Sequence, residues 1–463
     1  MYSGWEGEVS AVVEKLAAAR ALVGELSVLV AAGVPDVELI DALAGLEKLK
    51  RQSSAVQAEV TAAFTASVRA ADAARGVARD RQGKSVAPQV ALARGASPYL
   101  GGMFVGSSTG LVTEMPNTFT ALQEGRIEEW TAHQLVRETA ALTLEHRVEV
   151  DRAMRKELAR AGVGPKRLVG SARALAQKLD PAAAVVKAAR AESGRYVSVR
   201  PAPDSMAYLT ALVPVRAAVR CAASLKRAVA AMDRDDGDER SKAQLEADLL
   251  VERLTGRDPV TDATPVTVDL VMTEETLLGR GDGPAGVPGH GPIPAAIARD
   301  LVAAAAEQDV AWVRRVFTVP DRSRLVAMDS TARCFPKGLA DFLRLRDQRC
   351  ATPFCEAPIR HLDHVRPHAS GGPTTAANGQ GLCVRCNLAK EVPGFTSHRD
   401  DEAGTTTVTT PTGHTYTTGD PPPLGYPDDR EPEPPPFPGA RRRGHVSFVT
   451  WGVAVDYVYD LAS

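Results

Sequence analysis

Cys350-Ala351-Thr352-Pro353-Phe354-Cys355 and Cys383-Val384-Arg385-Cys386 decide how this sequence is read. The first stretch spaces two thiols as C-x4-C and the second as C-x2-C, with 27 residues between the pairs, enough chain for a small ββα element. Four thiolates converging tetrahedrally make a closed structural Zn2+ site, because soft sulfur suits that ion and four protein ligands leave no position for substrate. In a reducing compartment cysteines rarely form stable disulfides, so the clustering of four of the six points to metal before bridges. Cys221 and Cys334 stand apart from the cluster.

Between the two pairs lie Leu362-Asp363-His364-Val365-Arg366-Pro367, then Gly371-Gly372, then Asn378, with Asn387 directly after the last cysteine. This order resembles the HNH nuclease family, which carries an Asp-His or His-His pair, a Gly-Gly turn, a central Asn and a final His or Asn. Thirteen residues separate His364 from Asn378 and eight separate Asn378 from Asn387, which is the family's spacing. The resemblance implies a zinc-braced ββα-metal fold and metal-dependent hydrolysis of DNA phosphodiester bonds, leaving a 5′ phosphate and a 3′ hydroxyl.

Such hydrolysis needs a deprotonated water, stabilised charge on the phosphate and an assisted leaving oxygen, which one metal and one base can supply together. Asp363 and Asn387 offer hard oxygen ligands for a catalytic Mg2+ or Mn2+, distinct from the zinc held by Cys350, Cys355, Cys383 and Cys386. The resemblance assigns His364 the role of general base, a task that suits an imidazole with a pKa of roughly 6.5. It assigns Asn378 to hydrogen-bonding the loop between the two strands, so that it fixes the base rather than touching metal. Gly379 departs from the bulky apolar residue that the family carries after this Asn, and looser local packing is expected. Adjacent strand residues face opposite sides, so Asp363 and His364 share a cleft only at a twisted or bulged strand end. Arg366, Arg385 and Lys390 are the expected phosphate contacts, with Arg344, Arg346 and Arg349 as a possible extension of the patch. His361 and His368 read as exposed flanking side chains. The competing reading is a non-catalytic module in which zinc shapes a surface that binds nucleic acid or protein.

Outward from the module the pattern is helical. Val12, Leu16, Ala19, Leu22 and Leu26, then Leu39, Leu43 and Leu46, then Val56, Val60, Phe64 and Val68 recur at helical spacing, with Pro35 between the first two groups. These opening helices suggest a homodimer contact. Arg75 to Lys84 reads as an exposed connection, and Asp180-Pro181 as a helix cap and first-turn proline. After Gly194 the period changes to two, predicting a hairpin from Tyr196 to Leu212 around Pro203-Asp204. Helices are expected near Val215 to Met232, Gln244 to Leu254 and Ile297 to Ala305, a strand at Val266 to Met272, and a second hairpin from Arg315 to Met328. Leu278 to Pro294 reads as an irregular loop, Thr405 to Thr418 as a hairpin, Pro421 to Pro438 as a disordered linker, and Val446 to Tyr459 as either a short strand element or an appendage of no fixed structure. The charged run Asp233 to Arg240 is not an EF-hand: its glycine comes too early, and Gln244 stands where the closing glutamate belongs.

Ala121 to Ile127, Arg240-Ser241 with Gln244-Leu245 and Ala247-Asp248, and Gly291 to Pro294 resemble the domain of unknown function 222, the thirteen-E-twelve repeat family, which precedes HNH modules. No catalytic residue comes with that likeness. The expected fold is mainly α with small β elements, divided as 1–85 N-terminal helices, 86–335 helical domain with hairpins, 336–400 nuclease module and 401–463 hairpin, linker and tail.

With 463 residues, two or three domains of about 150 residues are expected. The apolar fraction of 44% supports sizeable cores, and an aromatic fraction of only 5% favours alanine-rich packed helices. A formal charge of −2 excludes a globally basic nucleic-acid binder, so any DNA contact must rest on a local patch. No leader pattern and no run of about 18 apolar residues was found, so a cytoplasmic location is expected. No phosphate-cradling glycine loop or nucleophile elbow occurs in the helical part.

Overall fold

The computed structural model describes residues 6–31, 33–232, 238–256, 270–287, 291–307, 318–319, 324–325, 329–330, 334–421, 444–450 and 453–459. Its contacts divide the chain into two compact units, Met1–Gln52 with Asp428–Ser463, and Ser53–Pro427.

The first unit holds helix α1 (Glu6–Ala31), the start of α2 (Asp36–Ala74) and the C-terminal hairpin. Pro35 separates the two helices as the sequence predicts. The groups from Leu39 to Leu46 and from Val56 to Val68 lie on one helix, and α2 runs unbroken because 46–56 contains neither glycine nor proline. Val12, Leu16, Val23 and Leu26 on α1 are all exposed.

In the second unit, α3 (Val86–Ala93), α4 (Pro98–Glu114), α5 (Pro116–Gln123), α6 (Glu129–Thr139), α7 (Leu144–Leu158), α8 (Pro165–Leu179) and α9 (Pro181–Ser193) follow one another through short connections. Four of these helices open on a proline, whose fixed φ suits the first turn and whose missing N–H costs nothing there. Asp180 caps α9 by accepting from the Ala183 N–H at 2.8 Å. The core joins Leu111, Met115, Leu122, Leu135, Val150 and Met154. Asp151 on α7, fully buried, accepts from the N–H groups of Asn117 and Thr118 at 2.8 and 2.9 Å, so its carboxylate caps α5 from a neighbouring helix. Glu138 on α6 accepts from Arg173 on α8 and Lys187 on α9 at 3.0 and 3.1 Å.

The period change after Gly194 becomes β1 (Tyr196–Pro201) paired with β2 (Ala207–Leu212), turning through Asp204 and Ser205, both with φ near +60°. Then come α10 (Val215–Ala230), α11 (Lys242–Thr255) behind a Ser241/Gln244 capping box, and α12 (Glu274–Leu277). The stretch expected to be an irregular loop instead contains a two-stranded ribbon, β3 (Ala285–Val287) against β4 (Gly291–Ile293), with Gly286 also bridged to Val271. Three-residue strands leave no alternation for a sequence pattern to show. The remainder of the strand expected at Val266 to Met272 lies largely outside the described residues, as do most of the hairpin expected from Arg315 and the proline-rich linker. Of that hairpin, β5 (Thr318–Val319) pairs with β6 (Arg324–Leu325), after α13 (Ala295–Glu307).

The module begins with β7 (Asp329–Ser330) and α14 (Lys337–Asp347). Strand β8 (His361–His364) pairs antiparallel with β10 (Gly379–Leu382), and β9 (Thr374–Thr375) between them pairs with β7. Helix α15 (Val384–Lys390) completes a ββα unit. Beyond it, β11 (Thr396–Asp400), β12 (Thr405–Thr409) and β13 (Thr415–Gly419) form a three-stranded sheet, one strand more than the expected hairpin. The chain closes with β14 (Gly444–Thr450) paired to β15 (Val453–Tyr459).

Candidate active site and metal centre

The four module cysteines are buried, and their sulfur atoms all lie within 4.8 Å of one another. Cys355 Sγ and Cys383 Sγ are 3.8 Å apart, the separation that a tetrahedral ion with Zn–S bonds of about 2.3 Å requires. Cys383 also caps α15, accepting from the Cys386 N–H at 3.4 Å, so the helix starts at the cluster. Hydrogen bonding with Cys355 pulls the Cys350 thiol down to about 7. Contact with Cys350 and the other thiols pulls Cys383 down and pushes Cys355 and Cys386 up. Four thiols this close cannot all ionise without a cation, so spacing, burial and donor chemistry fit a structural metal such as zinc.

The β8–β10 ribbon carries α14 on one face and α15 on the other. Leu362 packs with Leu339, Leu343 and Ala376, and the His364 ring stacks on Phe335 at 4.7 Å between centroids, so both point toward α14. Asp363 points the other way, where its Oδ2 meets Lys390 Nζ of α15 at 2.9 Å. The strand therefore keeps its ordinary alternation up to its last residue, and the proposed base and the proposed ligand leave on opposite faces. The His364 N–H donates to Asp363 Oδ1 at 2.9 Å. His364 is 6% exposed, and its Nε2 lies 2.9 Å from Thr374 Oγ1.

Asn387 sits one turn before Lys390 on α15, and its Oδ1 is buried without a hydrogen-bond partner. Burying an amide oxygen unsatisfied costs about 1–3 kcal/mol, so an acceptor left this way fits an absent partner. With the Asp363 carboxylate it offers the oxygen donors that a hard divalent ion takes.

Asn378 hydrogen-bonds the loop between β8 and β10. Its Oδ1 accepts from the Arg366 N–H at 2.8 Å, and its Nδ2 donates to the carbonyls of Arg366 and Pro373 at 3.1 and 2.7 Å. Gly372 belongs to the same construction, because a Cβ there would stand 1.9 Å from the Arg366 carbonyl oxygen. Gly379 corrects the expectation of loose packing: a Cβ there would stand 2.7 Å from Leu343 and 2.8 Å from Phe335, so those side chains fill the space a larger residue would need.

Of the expected phosphate contacts, Arg366 turns its guanidinium back to the Ser370 carbonyl, at 2.8 Å from one terminal nitrogen. Arg385 lies over the Tyr99 ring of α4, 5.4 Å from its centroid. Lys390 bonds Asp363 and Glu391, and although burial works against its charge those bonds hold its pKa above the usual lysine value. Arg344 pairs with Asp341 and Arg349 with Glu356. Arg346 does not belong to any surface patch. Its side chain is 3% exposed, bonds Asp347 at 2.6 Å, and donates to the carbonyls of Ala376 and Gly379. Asp347 in turn accepts from the Gly381 N–H at 2.6 Å, while burial pushes its carboxyl up against the pull of Arg346. This ion pair ties α14 to β10. The residue types were visible in the sequence, but nothing in the spacing separates a buried arginine from its exposed neighbours. His361 and His368 are both exposed, and the His368 ring lies 5.5 Å from that of His364.

Two family matches follow this geometry. The family described as "Domain of unknown function (DUF222)" matches residues 40–347, and the chain belongs to it. The family described as "HNH endonuclease" matches residues 348–392, so the chain carries an HNH endonuclease domain behind the helical part. Similar chains include the uncharacterized proteins Rv3776 and Rv2100 of Mycobacterium tuberculosis strain H37Rv. The first is 38% identical over 96 residues, covering 20% of this chain and 17% of the relative, and the second is 39% identical over 84 residues, covering 17% and 15%. The chain thus spans less than a fifth of the length of these relatives. No solved structure matches. No helix among the described residues is long and apolar enough to cross a membrane.

Proposed function

We propose that this chain is a metal-dependent endonuclease that hydrolyses DNA phosphodiester bonds. The observation that carries the reading is the buried, unpartnered Asn387 Oδ1 on the helix that faces Asp363, inside an HNH endonuclease match. Asp363 and Asn387 would hold the divalent ion, Mg2+ or Mn2+, which when bound supplies charge stabilisation at the phosphate and a more acidic water. In this reading His364 would accept the proton of the attacking water at its ring nitrogen, which requires the ring, now against Phe335 with Nε2 2.9 Å from Thr374 Oγ1, to turn round the end of β8 to the Asp363 side. Asn378 positions the loop that follows His364, and Arg366 and Arg385 contact the DNA backbone once their present partners release them. A zinc held by the four cysteines would take no part in the chemistry, and Cys383, which caps α15, sets where that helix begins.

Burial of His364 favours the alternative of a non-catalytic zinc-shaped binding module, and one assay separates the two. Supercoiled plasmid incubated with Mg2+ or Mn2+ is nicked by the purified protein and not by His364→Ala; equal nicking by both, or by neither, defeats the nuclease reading. We further propose that two copies pair through α1, supported by its exposed Val12, Leu16, Val23 and Leu26 at heptad spacing. Sedimentation of a Leu16→Glu/Leu26→Glu variant at the mass of an unmodified dimer would refute that pairing.

A further inference from the structure

We propose that Lys390 is an internal competitor of the catalytic divalent ion: its ammonium neutralises the Asp363 carboxylate while the site is metal-free and must leave before an ion can bind there. The proposal rests on the reading of Asp363 and Asn387 as the ligand pair. Lys390 Nζ stands 2.9 Å from Asp363 Oδ2, with side-chain exposures of 12% and 28%. A pair this sheltered is screened less than a surface ion pair, so it sets a real cost on any cation that takes its place. Asn387, three residues earlier on the same helical face, has no such partner for its Oδ1. One half of the ligand pair is thus satisfied from within the protein and the other half is left open, which is the asymmetry a competing side chain produces.

The ammonium also has somewhere to go. The exposed Glu391 carboxylate already lies 2.8 Å from Lys390 Nζ through its Oε1, and can keep the charge when Asp363 is taken by an ion. Lys390 also borders a cavity of about 40 Å3 together with Pro88, Ala91, Leu92 and Gln380. An ion entering at Asp363 replaces one cation by another at a single carboxylate oxygen pair, and no covalent bond changes.

Titration of the zinc-loaded full-length protein with Mn2+, reading free Mn2+ by electron paramagnetic resonance, tests this without any cleavage. Removing the competitor in Lys390→Met should tighten Mn2+ binding about tenfold, which corresponds to roughly 1.4 kcal/mol. Lys390→Arg, which keeps the charge, should bind no more tightly than the unmodified protein. If Lys390→Met fails to retain zinc, Lys390→Gln serves in its place. Unchanged or weaker Mn2+ binding by the neutral variants overturns the competitor proposal. Unchanged binding by Asp363→Asn overturns the ligand reading beneath it, so the two failures are told apart.

Discussion

The helical region and the nuclease module solve the same folding problem by different means. The helices α4 to α8 bury a continuous apolar core around Leu122, Leu135, Val150 and Met154, and their polar contacts, such as Asp151 of α7 capping α5, fasten helix ends to an assembly that apolar burial already drives. The module has little apolar core of its own. Among the described residues Leu382 and Ala357 pack around its four cysteines, and a second small cluster holds Leu339, Leu343 and Ala376 with Phe335, Phe342 and Leu362 against it. What remains is a four-cysteine group able to hold a metal and the buried Arg346–Asp347 pair. The difference teaches where function can be read: a fold held by chemistry must show that chemistry in its sequence, and a fold held by area need not.

The comparison breaks most sharply on metal removal. Structural zinc in small modules contributes about 10–16 kcal/mol of binding free energy, far more than the apolar clusters here can replace. Chelation, or Cys383→Ser, should therefore unfold residues 348–392 while α5 to α8 stay protected, as read by hydrogen exchange with mass spectrometry. Uniform loss of protection, or none, would show that the two regions do not differ in this way. Next in size is Arg346→Met, which leaves Asp347 buried without its partner and should cost about 3–5 kcal/mol in denaturant unfolding of the module. The smallest effect belongs to the helices. Burial opposes the charge on Glu138, but its bonds to Arg173 and Lys187 outweigh burial and hold its pKa below the ordinary carboxylate value. A lowered folded-state pKa means stability that is present above the unfolded value of about 4.3 and lost as pH falls through the folded one. Glu138→Gln should accordingly destabilise the helical region by about 1–2 kcal/mol at pH 7 and by much less under acid conditions.

What was legible follows the same division. The cysteine spacing announced a cluster that the fold brings together, and the position of Asn378 after the Gly-Gly turn announced the loop staple that its three hydrogen bonds make. Helix periodicity and first-turn prolines marked most of the helices, although the two groups within α2 read as separate because apolar spacing lapses at Lys50 to Ser54 without any residue that breaks a helix. Arg346 was misplaced because burial depends on what α14 packs against, which no local pattern records. Lys390 lay in plain sight one turn beyond Asn387, but its pairing with Asp363 depends on the approach of α15 to β8, a tertiary fact.

The central claim is that Asp363 and Asn387 form a second metal site beside the cysteine cluster. A crystal soaked in Mn2+ and measured at the manganese and zinc absorption edges tests it directly. A manganese peak bonded to the carboxylate of Asp363 and the amide oxygen of Asn387 is expected, with a separate zinc peak among Cys350, Cys355, Cys383 and Cys386. Zinc in the cluster with no manganese on Asp363 and Asn387, at an ion concentration that supports cleavage, would contradict it.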